Sequence, residues 1–206
     1  MTITLDQVSK RFQRHWIFRQ VNAIFRSPGA YALLGPNGSG KSTLLRIVAG
    51  MQAPSAGKVV YADANGRAVA TSEIFSHISF CAPGQELVEE LTLREFLEFH
   101  FSFKQPINGL SIADIIDLTG LKQASDKQIS DYSSGMKQRV KLAQAIFSDT
   151  PILLLDEPCT NLDQQGVEQY RNWVAEYRKD RLVIVASNDV REYFFCTEQV
   201  VVEDYK

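Results

Sequence analysis

Gly35-Pro36-Asn37-Gly38-Ser39-Gly40-Lys41-Ser42-Thr43 is the stretch whose reading decides the fold of this chain. It fills every fixed position of the pattern GxxxxGK[ST]. Glycines let the backbone curl so that successive N–H groups point at one phosphate chain. Lys41 adds a cation where β- and γ-phosphates would lie, and the Ser42 hydroxyl is a ligand for Mg²⁺. The flanks agree. Tyr31–Leu34 is a short apolar run typical of a buried strand, and Lys41–Ala49 reads as a helix with Leu44, Leu45 and Val48 on one face. Gly50 is its expected stop. A strand, a glycine loop and a helix in that order fit an α/β domain built around a phosphate-binding loop.

Working outward, Ile152-Leu-Leu-Leu-Asp156-Glu157 supplies what the loop lacks. A buried strand that ends in a carboxylate sets Asp156 beside the metal. Glu157, one residue later, is the candidate to polarise a water toward the γ-phosphate. An apolar run ending in two acids is common by itself; beside a phosphate loop it acquires a role. Between the two lies Tyr132-Ser-Ser-Gly-Met-Lys-Gln-Arg139. This Ser-rich turn opens a helix, so its free N–H groups and hydroxyls either meet an anion or form an ordinary N-cap.

The remaining chain sorts into strands first and helices later. Ile3, Leu5 and Val8, then Trp16–Phe25, read as strands, and Pro28-Gly29 punctuates them. Val59–Ala62 and Ile78–Phe80 are further short strands. The character changes near Pro83-Gly84. From Leu91 to about Lys104 the period is helical, with Thr92 and Glu95 spaced as a capping box. Ser111–Thr119 is a second amphipathic segment, and a helix follows through Met136–Ser148. Residues 84–150 thus read as a helical insertion. The sheet resumes at Ile152–Asp156, followed by a helix around Gln164–Arg178 and a strand at Leu182–Ala186.

Composition excludes several classes. The chain has 206 residues, enough for one well-buried core with a smaller lobe. Its formal net charge of −2 offers no basic field for nucleic acid. Cys81, Cys159 and Cys196 are far apart and form no CxxC pair, so neither a disulfide framework nor a zinc site is implied, and a reducing cytosolic setting fits. The N-terminus alternates apolar and polar residues, unlike a signal peptide. No apolar run approaches the roughly 20 residues needed to span a bilayer. Work at a membrane would need a partner.

These motifs together resemble the ATP-binding cassette (ABC) ATPases, over nearly the whole chain and in the right order. Gly35–Thr43 is similar to the Walker A loop and Ile152–Asp156 to Walker B, with Glu157 at the family's catalytic glutamate. Ser133-Ser134-Gly135 with Gln138-Arg139 resembles the family signature, with Tyr132, Ser134 and Met136 as substitutions. Thr160-Asn161-Leu162-Asp163 resembles the D-loop, which brings Asp163 into the nucleotide site. Phe12 falls where the family carries an aromatic that stacks on adenine; a core phenylalanine is the other reading.

The resemblance implies a P-loop NTPase of α/β class: a core with an N-terminal antiparallel β subdomain over 1–83 and 151–206, and an inserted α-helical subdomain over 84–150. It implies ATP and Mg²⁺ as cofactors, and homo- or heterodimers that sandwich ATP between the Walker A loop of one subunit and Ser133–Gly135 of the other. It further implies a separate integral-membrane permease, with the ATPase peripheral on the cytoplasmic face. Two positions depart from the pattern. Pro83 falls where a glutamine is expected to contact Mg²⁺ and couple to the permease, with Gln85 two residues away as its substitute. Asn188 falls where a histidine is expected at the γ-phosphate; an asparagine can donate a hydrogen bond but exchanges no proton near neutral pH. A soluble non-transport ABC ATPase and a regulatory subunit of weak turnover are the competing classes. Import and export are left open, although the short chain, without an added C-terminal domain, resembles the compact ATPases of exporters.

Overall fold

The computed structural model of the protein describes residues 1–206. Two sheets and six helices share one body. Strands β1 (Thr2–Phe12) and β2 (His15–Arg26) form a long antiparallel hairpin closed at Phe12 and His15. With β4 (Ala56–Ala62) and the two-residue β5 (Ala68–Val69) they make an antiparallel sheet of order β2-β1-β4-β5. The buried positions Ile3, Leu5 and Val8 break the period of two expected of a strand. The ladder shifts register between Leu5 and Val8, and Gln7 there takes φ 52°, so the chain inserts a residue and returns Val8 to the core face.

The second sheet is parallel, of order β6-β7-β8-β3-β9, from β6 (Ile78–Cys81), β7 (Ile152–Asp156), β8 (Leu182–Ala186), β3 (Gly29–Leu34) and β9 (Glu198–Val201). Every residue of β7 and β8 is buried, which explains their unbroken apolar sequences: both faces are covered. On one face, Ile152, Leu154, Leu182 and Ile184 pack with α1 (Lys41–Val48) and the antiparallel sheet. On the other, Leu153, Leu155, Val183 and Val185 share a core with α2 (Leu93–Phe103), α3 (Ile112–Thr119), α4 (Ser134–Ile146) and α5 (Gln164–Tyr177).

Helices α2–α4 fall between β6 and β7 in the chain, inside the stretch read as a helical insertion. They have no interior of their own: Val140, Ala143 and Phe147 lie in the same apolar cluster as the sheet. Thr92 with Glu95 and Ser111 with Asp114 form capping boxes at the starts of α2 and α3. The helix after the Ser-rich turn begins at Ser134, with Ser133 as its N-cap, two residues earlier than its apolar pattern. Three elements escape the sequence reading: β5, β9 and the short α6 (Val190–Tyr193).

Candidate nucleotide site

Strands β3, β8 and β7 lie side by side, and their carboxyl ends deliver the candidate residues to one crevice, where ligands bind in open α/β sheets. The loop after β3 turns through Gly35, Gly38 and Gly40 at φ 145°, 78° and 106°. At Gly40 only a glycine fits, because an added Cβ would lie 2.5 Å from Ile17 Cγ2 and 3.0 Å from Phe18 Cδ1. At Gly38 nothing lies within 4 Å, so the loop is open toward the crevice. Lys41 is 5% exposed, and its Nζ donates to the loop's own carbonyls, Gly35 O at 2.7 Å and Pro36 O at 3.2 Å. The ammonium is therefore held under the loop with its remaining valence toward the crevice. Ser39 Oγ is buried without a partner in the protein, a hydroxyl left to phosphate or water.

The Ser42 hydroxyl donates to Asp156 Oδ1 at 2.9 Å, joining the start of α1 to the end of β7. Asp156 is 2% exposed. Burial pushes its carboxyl above the usual range; the Ser42 hydrogen bond opposes that, and the neighbouring Glu157 charge adds to it. A buried carboxylate and a hydroxyl, both hard oxygen donors, suit a Mg²⁺ ion that keeps waters and shares the substrate's phosphates. Glu157 lines the same crevice with Asn37, Gly38, Gly40–Thr43 and Ile17, a cavity of about 220 Å³. Its φ is 43°, a conformation that non-glycine residues avoid unless the surroundings impose it. Here its N–H donates to Ala186 O at 2.9 Å, fastening the strained residue to the end of β8. From the loop after β8, Asn188 Nδ2 donates to Asn37 Oδ1 at 3.2 Å and bridges the mouth of the phosphate loop.

The ABC transporter family model matches residues 18–160. The chain belongs to the ABC transporter family. A sulfate/thiosulfate import ATP-binding protein, CysA, of Thermosynechococcus vestitus is 32% identical over 208 residues, covering 98% of this chain and 61% of that protein. The CysA protein of Synechococcus elongatus is 32% identical over 213 residues, covering 98% of this chain and 60% of its own. The chain thus spans about 60% of the length of these relatives. Among solved structures, a putative ABC transporter ATP-binding protein from Pyrococcus furiosus superposes with a TM-score of 0.81 at 19% identity over 100% of both chains. The ATP-binding cassette MJ0796, described as dimeric and bound to ADP and Pi, gives 0.80 at 21% identity over 98% of this chain and 95% of its own. The fold is that of the ABC ATPase cassette.

The residues that resemble the family signature form a second, separate cleft. Ser133, Ser134, Gly135, Met136 and Arg139 of α4 face Asn161–Asp163 across a cavity of about 300 Å³ that shares no residue with the phosphate-loop crevice. An added Cβ on Gly135 would sit 2.9 Å from Asn161 O, so a glycine lets helix and loop approach. Asp163 caps α5 through Gly166 N–H at 2.8 Å and meets Arg139 at 3.3 Å. Gln138 Nε2 donates to Pro158 O at 2.7 Å, tying α4 to the loop that follows Glu157.

Two expectations need comment. Phe12 is 47% exposed, with Lys10 Nζ over its ring at 5.2 Å, so the core-phenylalanine reading is excluded. Gln85 does not join Ser42 and Asp156. It lines a different cavity of about 340 Å³ with Ser79, His100, Lys104 and Gln144, and its buried Oε1 has no partner there. A turn closed by Gln85 N–H donating to Ala82 O at 3.1 Å follows β6 and sets Gln85 in that cavity. Gln85 as a metal ligand is therefore corrected. Ile17 is a crevice residue that sequence reading missed; its signal is the need of Gly40 for a close neighbour.

Proposed function

We propose that this cassette binds Mg-ATP and hydrolyses it as the ATPase subunit of an ABC transporter, paired with a second cassette and with a separate membrane permease. The observation that carries the reading is the hydrogen bond from Ser42 to Asp156 at 2.9 Å, which unites the phosphate loop and the acidic strand end in one crevice. The backbone N–H groups of residues 38–43 cradle the phosphates, and Lys41 supplies positive charge at their far end. Phe12, 47% exposed, offers its ring to the base where Lys10 does not cover it. Ser42 and Asp156 would hold Mg²⁺, which when bound neutralises charge developing on the phosphates. Glu157 orients the attacking water and takes its proton. Asn188 exchanges its bond to Asn37 for one to the γ-phosphate. Ser133, Ser134, Gly135 and Asp163 face a cleft of their own, which supports a site completed by the partner's signature.

No helix is long and apolar enough to cross a membrane, so attachment falls to the permease. The cavity lined by Gln85, with the exposed Phe75 and Met51 on its walls, is our candidate for that contact. The named relatives serve import, which supports the same direction here. The test is Glu157→Gln in the full chain. It is expected to retain ATP, lose turnover and run as a dimer in Mg-ATP on size exclusion. A monomer under those conditions, or undiminished turnover, refutes the reading.

A further inference from the structure

Glu192 is a carboxylic acid only 5% exposed, on a four-residue helix, and nothing above uses it. A buried carboxyl costs stability unless its oxygens are engaged. Both are. Oε1 accepts the backbone N–H of Cys159 at 2.7 Å, and Oε2 accepts the hydroxyl of Ser187. Ser187 Oγ in turn accepts Asp189 N–H at 2.8 Å. The backbone is fixed as well: Tyr170, fully buried on α5, donates its hydroxyl to Glu192 O at 2.6 Å, and Glu192 N–H donates to Asp189 O at 2.9 Å.

The two groups that the carboxyl joins stand in two different loops. Cys159 follows Glu157 by two residues, on the loop leaving β7. Ser187 precedes Asn188, on the loop leaving β8. One side chain thus links the two loops that carry Glu157 and Asn188, the groups proposed above to act at the γ-phosphate. An apolar residue would fill the same space without a buried acid to satisfy, so packing alone does not account for a glutamate here.

We propose that Glu192 is a positioning residue for ATP hydrolysis: its carboxyl locks the Glu157 and Asn188 loops in register with each other. The inference rests on the hydrolytic reading above. It separates hydrolysis from binding, because Glu192 touches no residue of the phosphate loop. Loss of the clamp lets Glu157 drift while Lys41 and the loop amides still hold nucleotide.

The experiment is steady-state Mg-ATP turnover by the full chain, with binding of a fluorescent ATP analogue and thermal unfolding measured beside it. Glu192→Ala is expected to lower kcat about 10- to 100-fold, the usual effect of ångström-scale misplacement, with KM within about threefold. Glu192→Gln is expected to stay within about threefold of wild-type kcat, since its amide oxygen still accepts Cys159 N–H and its NH₂ still reaches Ser187 Oγ. Ser187→Ala removes half of the clamp and is expected to fall between them; it also carries the test if Glu192→Ala does not fold. Unchanged kcat in Glu192→Ala, a Glu192→Gln loss as large as that of Ala, or KM rising in step with the loss of kcat each overturn the proposal. Wild-type chain that binds ATP without turnover overturns the hydrolytic reading and this one together; active wild-type chain with an unaffected Glu192→Ala overturns this one alone.

Discussion

Gly40→Ala tests the reasoning about the phosphate loop in a form that can be worked from geometry. The residue caps α1 with φ 106° and ψ 9°, where a side chain strains the backbone by about 1–3 kcal/mol. The new methyl would also meet Ile17 Cγ2 at 2.5 Å and Phe18 Cδ1 at 3.0 Å. Phe18 is fully buried and has nowhere to retreat, so overpacking adds about 1–3 kcal/mol. The sum, about 2–6 kcal/mol, is a large share of the ~5–15 kcal/mol that holds a domain folded. For a chain of this size each kcal/mol lowers Tm by about 2–4 °C, so thermal unfolding should show a fall of about 4–24 °C. Urea unfolding gives the free energy directly. Gly38→Ala is the control: it shares a positive φ of 78° but has no neighbour within 4 Å, so it should carry the conformational part alone. In an Ile17→Ala background the cost of Gly40→Ala should drop by part of that overpacking, because the contact with Ile17 is relieved while the one with Phe18 stays. A loss below about 1 kcal/mol for Gly40→Ala, or an equal loss in both backgrounds, refutes the steric account.

Two further outcomes are expected. Asp156→Asn keeps an acceptor for Ser42 and removes a buried charge together with its repulsion of Glu157, so apo stability should hold or rise while Mg²⁺ ceases to strengthen ATP binding; Mg²⁺ stimulation that survives would contradict the metal assignment. Burial, aided by the Lys104 charge, lowers the His100 pKa from 6.5 to about 4. The unfolded imidazole therefore takes up a proton at higher pH than the folded one. The stabilisation is complete above 6.5 and is lost as pH falls toward about 4, a gap corresponding to about 3 kcal/mol. Urea unfolding across that window should show the fall, and His100→Gln should flatten it; an equally steep curve in the variant would place the titration elsewhere.

What the sequence revealed and what it hid follow from range. The phosphate loop was legible because its glycines, lysine and serine act on their immediate neighbours, and their spacing is the geometry. Strands β7 and β8 were legible because burial on both faces leaves an unbroken apolar run. Strand β9 was not: Glu198 and Gln199 are exposed on an edge strand, so its sequence looks like a loop. Gln85 was misassigned because counting along a chain says nothing about where a turn sends a side chain. Nothing in the sequence of Asp189–Tyr193 singles out Glu192. Its burial depends on a loop more than thirty residues earlier in the chain closing over it at Cys159. Phe12 was ambiguous because stacking and burial favour the same residue types, and only its exposure separates them.

The single interior that α2–α4 share with the parallel sheet has a mechanical consequence. Two bodies with separate cores can swing about a hinge without disturbing either; a swing of these helices would open apolar surface between Val140 and the strands, whereas a small slide of packed helices would not. A slide of Ser133–Gly135 would pull on Pro158 through its bond to Gln138, and Pro158 follows Glu157 directly in the chain. The cleft at Ser133–Gly135 is thereby geared to Glu157, the residue proposed for hydrolysis, through a single hydrogen bond.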